Sequence, residues 1–336
     1  MRLLKLLLAL TILGLGAAAA AAGAWWLQRP LQMPNTVSAE APLEVTIAPG
    51  SSARSVADTV VNAGVQGPSV LLYAWFRLSG ESRQIKAGSY ELAPGTTPAS
   101  LLSKLVRGEQ ALRSLTLLEG WNIRQVLQAV RSSPDLKQDI DGLSMADLMA
   151  RIGYPGRHPE GRFFPDTYRM AKNTPASAVL RQAAQAMEQQ LNIAWAQRAP
   201  NSPLRSPDEA LILASIIEKE TGLESDRAMV GGVFSNRLRI GMRLQTDPSV
   251  IYGLGERFDG NLRRVDLQTD TPYNTYTRAG LPPTPIAIPG RNSLKAAVMP
   301  ATTDAMYFVA RGDGASYFSA TLQEHNAAVR RYILGR

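Results

Sequence analysis

An apolar stretch at the N-terminus is the feature that most constrains how this chain can fold. No charged residue occurs from Leu6 to Leu27, and as an α-helix this stretch would be about 33 Å long, close to the thickness of a bilayer core. Trp25 and Trp26 stand where an interfacial aromatic belt is expected. The sequence therefore predicts a membrane anchor within residues 1–28.

The flanking charges favour one orientation of this anchor. Arg2 and Lys5 precede the apolar stretch, and basic residues at this end favour a cytoplasmic N-terminus with the rest of the chain outside. A cleaved signal peptide is the alternative, because the alanine run offers cleavage sites. We favour the anchor, since the apolar stretch continues past the alanines. Residues 29–42 form a polar, proline-containing linker.

Composition excludes several kinds of site in the remaining chain. The sequence has no cysteine and two histidines, so there is no disulfide framework or thiolate metal site, and nothing predicts a metal or cofactor. The net charge is +8. This positive charge indicates either a solvated basic surface or a surface that attracts an anionic partner such as a membrane or an acidic polymer. No nucleic-acid-binding motif appears.

A repeated pattern organises the region before the main domain. The segments VTIAPGSSARSVADTVV (45–61) and LTLLEGWNIRQVLQAVR (115–131) align without a gap. Each predicts a strand, a glycine turn and a helix. We expect an α+β protein with a small β-α-α-β subdomain over 43–113 and a larger mixed α/β domain over 114–336. The small subdomain is either a common structural unit or a glycan-binding module.

The segment LILASIIEKETG (211–222) predicts a buried helix that ends in two glutamates. A capping box formed by Ser206 and Glu209, with Pro207 at the first helical position, predicts its start. Gly222 predicts its end, so we expect a helix over 207–221. Glu218 and Glu220 lie two residues apart and therefore point to nearly opposite sides.

The helical neighbours distinguish the two glutamates. Small residues surround Glu218, which leaves room for a ligand, and burial at the negative end of the helix dipole favours a protonated carboxyl there. Such a carboxyl suits a general acid, although a structural glutamate paired with an arginine is the alternative. Aliphatic neighbours suggest that Glu220 is a helix-end residue with an apolar contact or a salt bridge.

Polar residues cluster downstream of this helix. They suit a groove for a neutral, hydroxyl-rich ligand such as a glycan, although turns also use such residues. The candidates are Asn236, Gln245, Asp247, Tyr273, Asn274 and Tyr276.

Five motifs give the chain a family resemblance. EGRFFPDTY, LASIIEKET, VFSNRL, GMRLQTDPSVIYG and PYNTYTRAGLPP together resemble the YceG-like family of membrane-bound endolytic murein transglycosylases. The resemblance implies a single-pass inner-membrane protein whose periplasmic part has a LysM-like subdomain and a catalytic domain. It implies peptidoglycan glycan strands as substrate, peptidoglycan synthases as candidate partners and no nucleic acid.

The resemblance also implies a reaction and a catalytic residue. The reaction cleaves the β-1,4 bond between MurNAc and GlcNAc in nascent strands and leaves a 1,6-anhydro end, which terminates strand elongation. We expect Glu218 to be the acid/base, with Glu220 and the six polar candidates binding substrate or orienting the carboxyl. A muramidase that uses water, with Asp247 or Glu220 as second carboxyl, and a non-catalytic envelope scaffold that binds glycan are the alternatives.

Overall fold

The structure is a computed structural model that describes residues 2–335. The side chains of residues 1–6, 8 and 9 lie outside this description. These include Arg2 and Lys5, so the orientation of the anchor predicted from their charges also lies outside the described residues. The contacts divide the chain into two units that meet in sequence between Arg113 and Ser114. Each unit mixes helices and strands, so the predicted α+β class is confirmed.

The first unit begins with a long apolar helix, α1 (Arg2–Gln28). The part of this helix from Leu10 to Gln28 is long and apolar enough to cross a membrane and has no buried residue. Two antiparallel strands and three helices follow. They are β1 (Leu43–Ile47), α2 (Ala53–Asn62), α3 (Ser69–Leu78), β2 (Gly88–Leu92) and α4 (Pro98–Arg107), with a 3₁₀ turn at Ser82–Gln84.

The core of the first unit is formed by one face of each helix against the two strands. Val56 and Val60 of α2 and Phe76 of α3 are completely buried there, as is Tyr90 of β2. The Tyr90 hydroxyl donates a hydrogen bond to the Lys86 carbonyl, so its polar end is satisfied. All the buried residues of this core belong to the first unit, so the first unit has a core of its own.

The sequence repeat corresponds to two structural units of the same kind. In each, a strand leads into a helix through a turn in which glycine has positive φ, at +77° for Gly50 and +76° for Gly120. Such a backbone conformation favours glycine. Ser52 and Asn122, at matching positions, cap the two helices by accepting a backbone hydrogen bond.

The second unit consists mainly of helices, and all the sheets in residues 2–335 have two strands. β3 pairs with β5, β4 with β6, and β7 with β8. The strands are β3 (Leu112–Thr116), β4 (Leu136–Lys137), β5 (Thr167–Ala171), β6 (Thr174–Pro175), β7 (Tyr307–Ala310) and β8 (Ser316–Ser319). The helices are α5 (Ile123–Ser132), α6 (Met145–Arg151), α7 (Ala176–Ala196), α8 (Pro207–Glu220), α9 (Glu224–Arg239), α10 (Asp247–Leu254), α11 (Arg264–Gln268), α12 (Arg291–Val298) and α13 (Leu322–Tyr332), with a 3₁₀ turn at Gly255–Arg257.

Two apolar cores support the second unit, and α8 lies in one of them. Every residue of α8 from Ala210 to Ile217 is buried, as the all-round apolar pattern predicts. Ser206 caps the helix, but the Glu209 carboxylate accepts from the Arg205 N–H, so the predicted reciprocal capping box does not form.

The predicted end of α8 also needs correction. The helix ends at Glu220, and the extended Thr221 follows it. Gly222 does not have the positive φ of a helix-terminating glycine. The Thr221 hydroxyl and N–H both bond to the Ile217 carbonyl, and this closes the last turn.

Candidate active site

The last turn of α8 places two carboxylates on opposite sides of one rigid helix. Residues two apart in an α-helix are separated by about 200° around the axis. Glu218 and Glu220 consequently meet different parts of the second unit. Because the helix is buried along most of its length, both side chains start from a well-fixed backbone.

Glu218 belongs to an ion-pair cluster. Its Oε2 accepts from the Arg227 guanidinium at 3.3 Å and from the Gly290 N–H at 2.9 Å. Only 7% of the Glu218 side chain and 12% of the Arg227 side chain are exposed. Arg227 also contacts Glu224 and the Ser293 hydroxyl. Arg227 and Gly290 therefore occupy one side of Glu218, and room for a ligand on the side of its small neighbours stays a prediction.

Glu119 is a second acidic residue in this cluster. A Cβ on Gly290 would lie 1.8 Å from the Glu119 Oε1, so the carboxyl rests against the glycine. Burial, together with the neighbouring Glu218, raises the pKa of Glu119. Backbone hydrogen bonds between Gly120 and Ile288 and between Ile288 and Trp121 hold this segment in place. No pattern in the sequence relates residue 119 to residue 218, so the sequence analysis missed this pair.

Glu220 has different surroundings. The Thr246 hydroxyl donates a hydrogen bond to its Oε1, and no ion pair reaches it from any residue the structure describes. Burial raises the pKa of Glu220. The Thr246 bond and the positive charge of Arg237 oppose this change, while Asp247 adds to it. Of the two alternatives for Glu220, an apolar contact or a salt bridge, the salt bridge does not form with any described residue.

Glu220 opens onto a cavity of about 440 Å³. Four of the eight predicted site residues meet there, namely Glu220, Gln245, Asp247 and Tyr276. Glu218 does not line this cavity. The remaining lining residues are Arg237, Tyr307, Phe308, Leu322, His325 and Asn326.

Several polar groups in this cavity are held in fixed positions. The Tyr276 hydroxyl donates to the Asp247 Oδ1 at 2.6 Å. Arg237 is 6% exposed and donates to the carbonyls of Met306 and Leu244. Gln245 has a φ of +51°, which costs a non-glycine residue about 1 kcal/mol. Strain of this kind concentrates at functional sites, so it supports a role for the cavity.

Besides Glu218, three predicted site residues do not line the Glu220 cavity. The Asn236 amide donates to the carbonyls of Thr303 and Ala305, and the Asn274 amide donates to three carbonyls in residues 266–269. The Tyr273 hydroxyl bonds to Thr284. Both asparagine amides therefore hold loops together, and a role for these three residues in substrate binding stays a prediction.

A third carboxyl is buried elsewhere in the second unit. Glu160, in the EGRFFPDTY motif, is fully buried and accepts hydrogen bonds from the N–H groups of Ile123 and Gly161. Ile123 begins α5, so Glu160 occupies the N-terminal end of that helix. Burial raises the pKa of Glu160 to about 7. This residue lines neither the Glu220 cavity nor the Glu218 cluster.

Metal ligation has no clear candidate in the described part of the chain. No group of three or more His, Cys, Asp or Glu residues is close enough together there to hold a metal ion. The chemistry of the two glutamate sites must therefore be considered from their own side chains.

A family comparison places these residues in context. The family model described as the YceG-like family matches residues 45–331, which is most of the sequence. The chain belongs to the YceG-like family. The five motifs that suggested this family all lie within the matched residues, so the predicted family membership is confirmed.

Individual members of the YceG-like family support the same assignment. A Bacillus subtilis protein named endolytic murein transglycosylase is 32% identical over 330 residues, covering 93% of this chain and 90% of its own. A Streptococcus pneumoniae protein of the same name is 26% identical and matches 86% of this chain, which spans 58% of the relative's length. The crystal structure of a yceG-like protein of Listeria monocytogenes has a TM-score of 0.52 and 29% identity, over 84% of this chain and 98% of its own.

Proposed function

We propose that this protein is a membrane-anchored peptidoglycan lytic transglycosylase. The curated relatives carry the name of that activity, and they match most of this chain. The proposed reaction cleaves the β-1,4 bond between MurNAc and GlcNAc inside nascent glycan strands and leaves a 1,6-anhydro end. It would thereby terminate strand elongation at the inner membrane.

For the acid/base we propose Glu220, which opens onto the cavity, with Glu218, the residue that the family resemblance implies, as the alternative. The supporting observation is that Glu220 is a partly buried carboxyl with no ion-pair partner among the described residues, and that it opens onto a polar cavity large enough for sugar rings. A raised pKa keeps a carboxyl protonated at higher pH, as a general acid requires. The prediction that Glu218 has this role stays untested, and its contacts with Arg227 and Gly290 resemble those of a structural ion pair.

A single carboxyl can complete the proposed reaction. The Glu220 carboxyl gives its proton to the leaving glycosidic oxygen as the bond from C1 breaks. The resulting carboxylate then takes the proton of the C6 hydroxyl as O6 bonds to C1 and closes the anhydro ring. Glu220 regains its proton, and no water is consumed. A hydrolase usually needs two carboxyls because water is the acceptor.

The other cavity residues would bind and orient the glycan. Tyr276, Tyr307 and Phe308 supply aromatic surface for sugar faces, while Gln245 offers an amide for hydroxyl groups. Arg237 would stabilise the carboxylate that forms when Glu220 has given up its proton. Asp247 is fixed by Tyr276 and would contact substrate hydroxyls.

Asp247 also supports a second candidate reaction. Because it lines the same cavity as Glu220, the two carboxyls could act as the acid and base of a muramidase that uses water. The products differ, since hydrolysis leaves a reducing end and the lytic reaction leaves an anhydro end.

The remaining expectations concern location and organisation. We propose that α1 anchors the protein in the inner membrane with a cytoplasmic N-terminus and a periplasmic catalytic unit. The β1-α2-α3-β2 arrangement agrees in element order with the expected LysM-like subdomain, which could bind glycan. Peptidoglycan synthases are the protein partners that this reaction would require nearby.

Product analysis with two glutamine variants tests the function and the acid/base together. Full-length protein in detergent would be incubated with uncrosslinked glycan strands, and the products would be identified by mass spectrometry. Glu220→Gln should abolish internal 1,6-anhydro ends, and Glu218→Gln should retain them. Loss only in Glu218→Gln would return the role to Glu218.

Two further outcomes would change the proposal more deeply. Reducing ends in place of anhydro ends would establish a muramidase and direct attention to Asp247. Glycan binding without cleavage by the wild-type protein would instead support a non-catalytic scaffold.

A further inference from the structure

The outward face of α3 is unusually apolar. Leu72 and Phe76 bury one side of this helix in the core of the first unit. On the opposite side Val70 is 60% exposed, Leu71 46% and Leu78 84%. Positions 70, 71, 74 and 78 share one face of a helix, and position 74 is alanine. A surface helix normally presents polar residues there, so this face is expected to meet something other than water.

The first turn of α3 lies beside the end of α1. Leu71 lines a cavity of about 310 Å³ together with Trp25, Trp26 and Arg29. Trp26 also packs against the core of the first unit. The apolar face of α3 is therefore continuous with the tryptophans that end the membrane-spanning stretch.

The side chains of Trp25 and Arg29 are suited to the lipid headgroup region of a membrane. Trp25 is 59% exposed, and the Arg29 guanidinium lies 3.8 Å from the centre of its ring. Tryptophan is enriched at membrane interfaces, and arginine at a helix end can reach lipid phosphates. Val70 and Leu71 extend this surface with aliphatic side chains.

We propose that the face of α3 formed by Val70 and Leu71 contacts the surface of the membrane that α1 spans. The occupant is the boundary between lipid headgroups and acyl chains, in which apolar side chains can insert by about 5–10 Å. The first unit is then held against the bilayer by two elements, α1 and α3. This inference rests on the proposed role of α1 as an anchor.

Site-specific fluorescence can test this contact in the full-length chain. The sequence has no cysteine, so one introduced cysteine can be labelled uniquely. Val70→Cys would carry an environment-sensitive dye in nanodiscs of phosphatidylethanolamine and phosphatidylglycerol. Lipids with a shallow or a deep doxyl group would measure contact with the bilayer, and iodide would measure contact with water. A Leu13→Cys label on α1 would report on the anchor.

The expected result is a shallow lipid contact at residue 70. Emission from the Val70 label should fall more with the shallow doxyl lipid than with the deep one, and it should resist iodide. Leu71→Glu in the same protein should reverse both effects. Leu112→Glu is the matched control because Leu112 is 53% exposed and does not line the cavity with Trp25. It should change neither effect.

Three results would overturn the inference. If the Leu13 label is quenched and the Val70 label is not, the anchor stands and the α3 contact is wrong. If neither label is quenched, the anchor itself is wrong and the inference fails with it. If the Val70 label resists iodide without lipid quenching, the face is covered by protein, such as a second copy, and the lipid partner is wrong.

Discussion

The two sides of the last turn of α8 differ in what surrounds a carboxylate. On one side Glu218 meets Arg227, the Gly290 N–H and the nearby Glu119. On the other side Glu220 accepts a hydrogen bond from Thr246 and opens onto a cavity. The neighbours of Glu218 and Glu220 within α8 do not indicate this difference. The residues that contact the two carboxylates come from other parts of the chain, at positions 119, 227, 246 and 290.

The largest expected effect is the loss of activity when Glu220 is changed. Glu220→Gln should lower the rate of strand cleavage by about 10²–10⁴-fold, because the amide cannot donate the required proton. Glu218→Gln should lower it by less than about tenfold, since only an indirect effect is expected there. Initial rates with uncrosslinked strands would measure both. Equal losses in the two variants would contradict the distinction between the two sides.

The pH dependence of the same rate sharpens this comparison. Because Glu220 must be protonated to act as the acid, cleavage should decline as the pH rises through its raised pKa. Asp247→Asn removes a neighbouring negative charge and should move this decline to lower pH. Glu218→Gln should leave the decline in place. If the decline moves only in Glu218→Gln, the group that titrates is Glu218, on the other side of α8.

Glu160 provides a third buried carboxyl whose effect should appear in stability. Its folded pKa of about 7 lies above the ordinary 4.5, so the folded protein keeps a proton that the unfolded chain loses. The free energy of unfolding should therefore fall by about 3 kcal/mol as the pH rises from below 4.5 to above 7. Urea unfolding across this range would measure the effect. Glu160→Gln should reduce the slope, and an unchanged slope would rule out this cause.

A smaller effect is expected from crowding the Glu218 cluster. Gly290→Ala places a methyl group where the Glu119 carboxyl lies. It should lower the free energy of unfolding by about 1 kcal/mol, since a flexible side chain can move aside. Gly222→Ala is the matched control, because nothing lies within 4 Å of its added Cβ. Strand cleavage should survive Gly290→Ala, and its loss would show that the two sides are coupled.

The smallest expected effect concerns a single hydrogen bond in the cavity. Tyr276→Phe removes the bond to Asp247 and should lower the cleavage rate about threefold, in keeping with the modest net value of one hydrogen bond. Tyr317→Phe, outside the cavity, should leave the rate unchanged. A loss as large as that of Glu220→Gln would give Tyr276 a direct part in the chemistry.

The sequence predicted the elements better than the partners. Apolar periodicity and turn residues identified α2, α5 and α8 and the two glycine turns, because these signals are local. The predicted end of α8 is residue 221, one residue beyond the observed end at Glu220. The prediction assumed that Gly222 has the positive φ of a helix-terminating glycine, which it does not.

The choice between the glutamates was harder because it depends on tertiary contacts. Small neighbours suggested room beside Glu218, but they did not indicate its contact with Arg227 from α9. The polar candidates were recognised as a group, yet Gln245, Asp247 and Tyr276 meet at Glu220. Asn236 and Asn274 were equally suited to glycan binding or to holding loops, and their amide contacts are with backbone carbonyls. Residue type alone could not decide between these uses.

The length of α8 limits how this protein could be altered by insertion. The helix is fixed at its start by Ser206 and along its middle by a continuous apolar surface. One added residue would rotate its end by about 100°, which would turn Glu218 away from Arg227 and Glu220 away from Thr246 together. Single-residue insertions and deletions in this helix should therefore not be tolerated, whereas the exposed loops can vary in length.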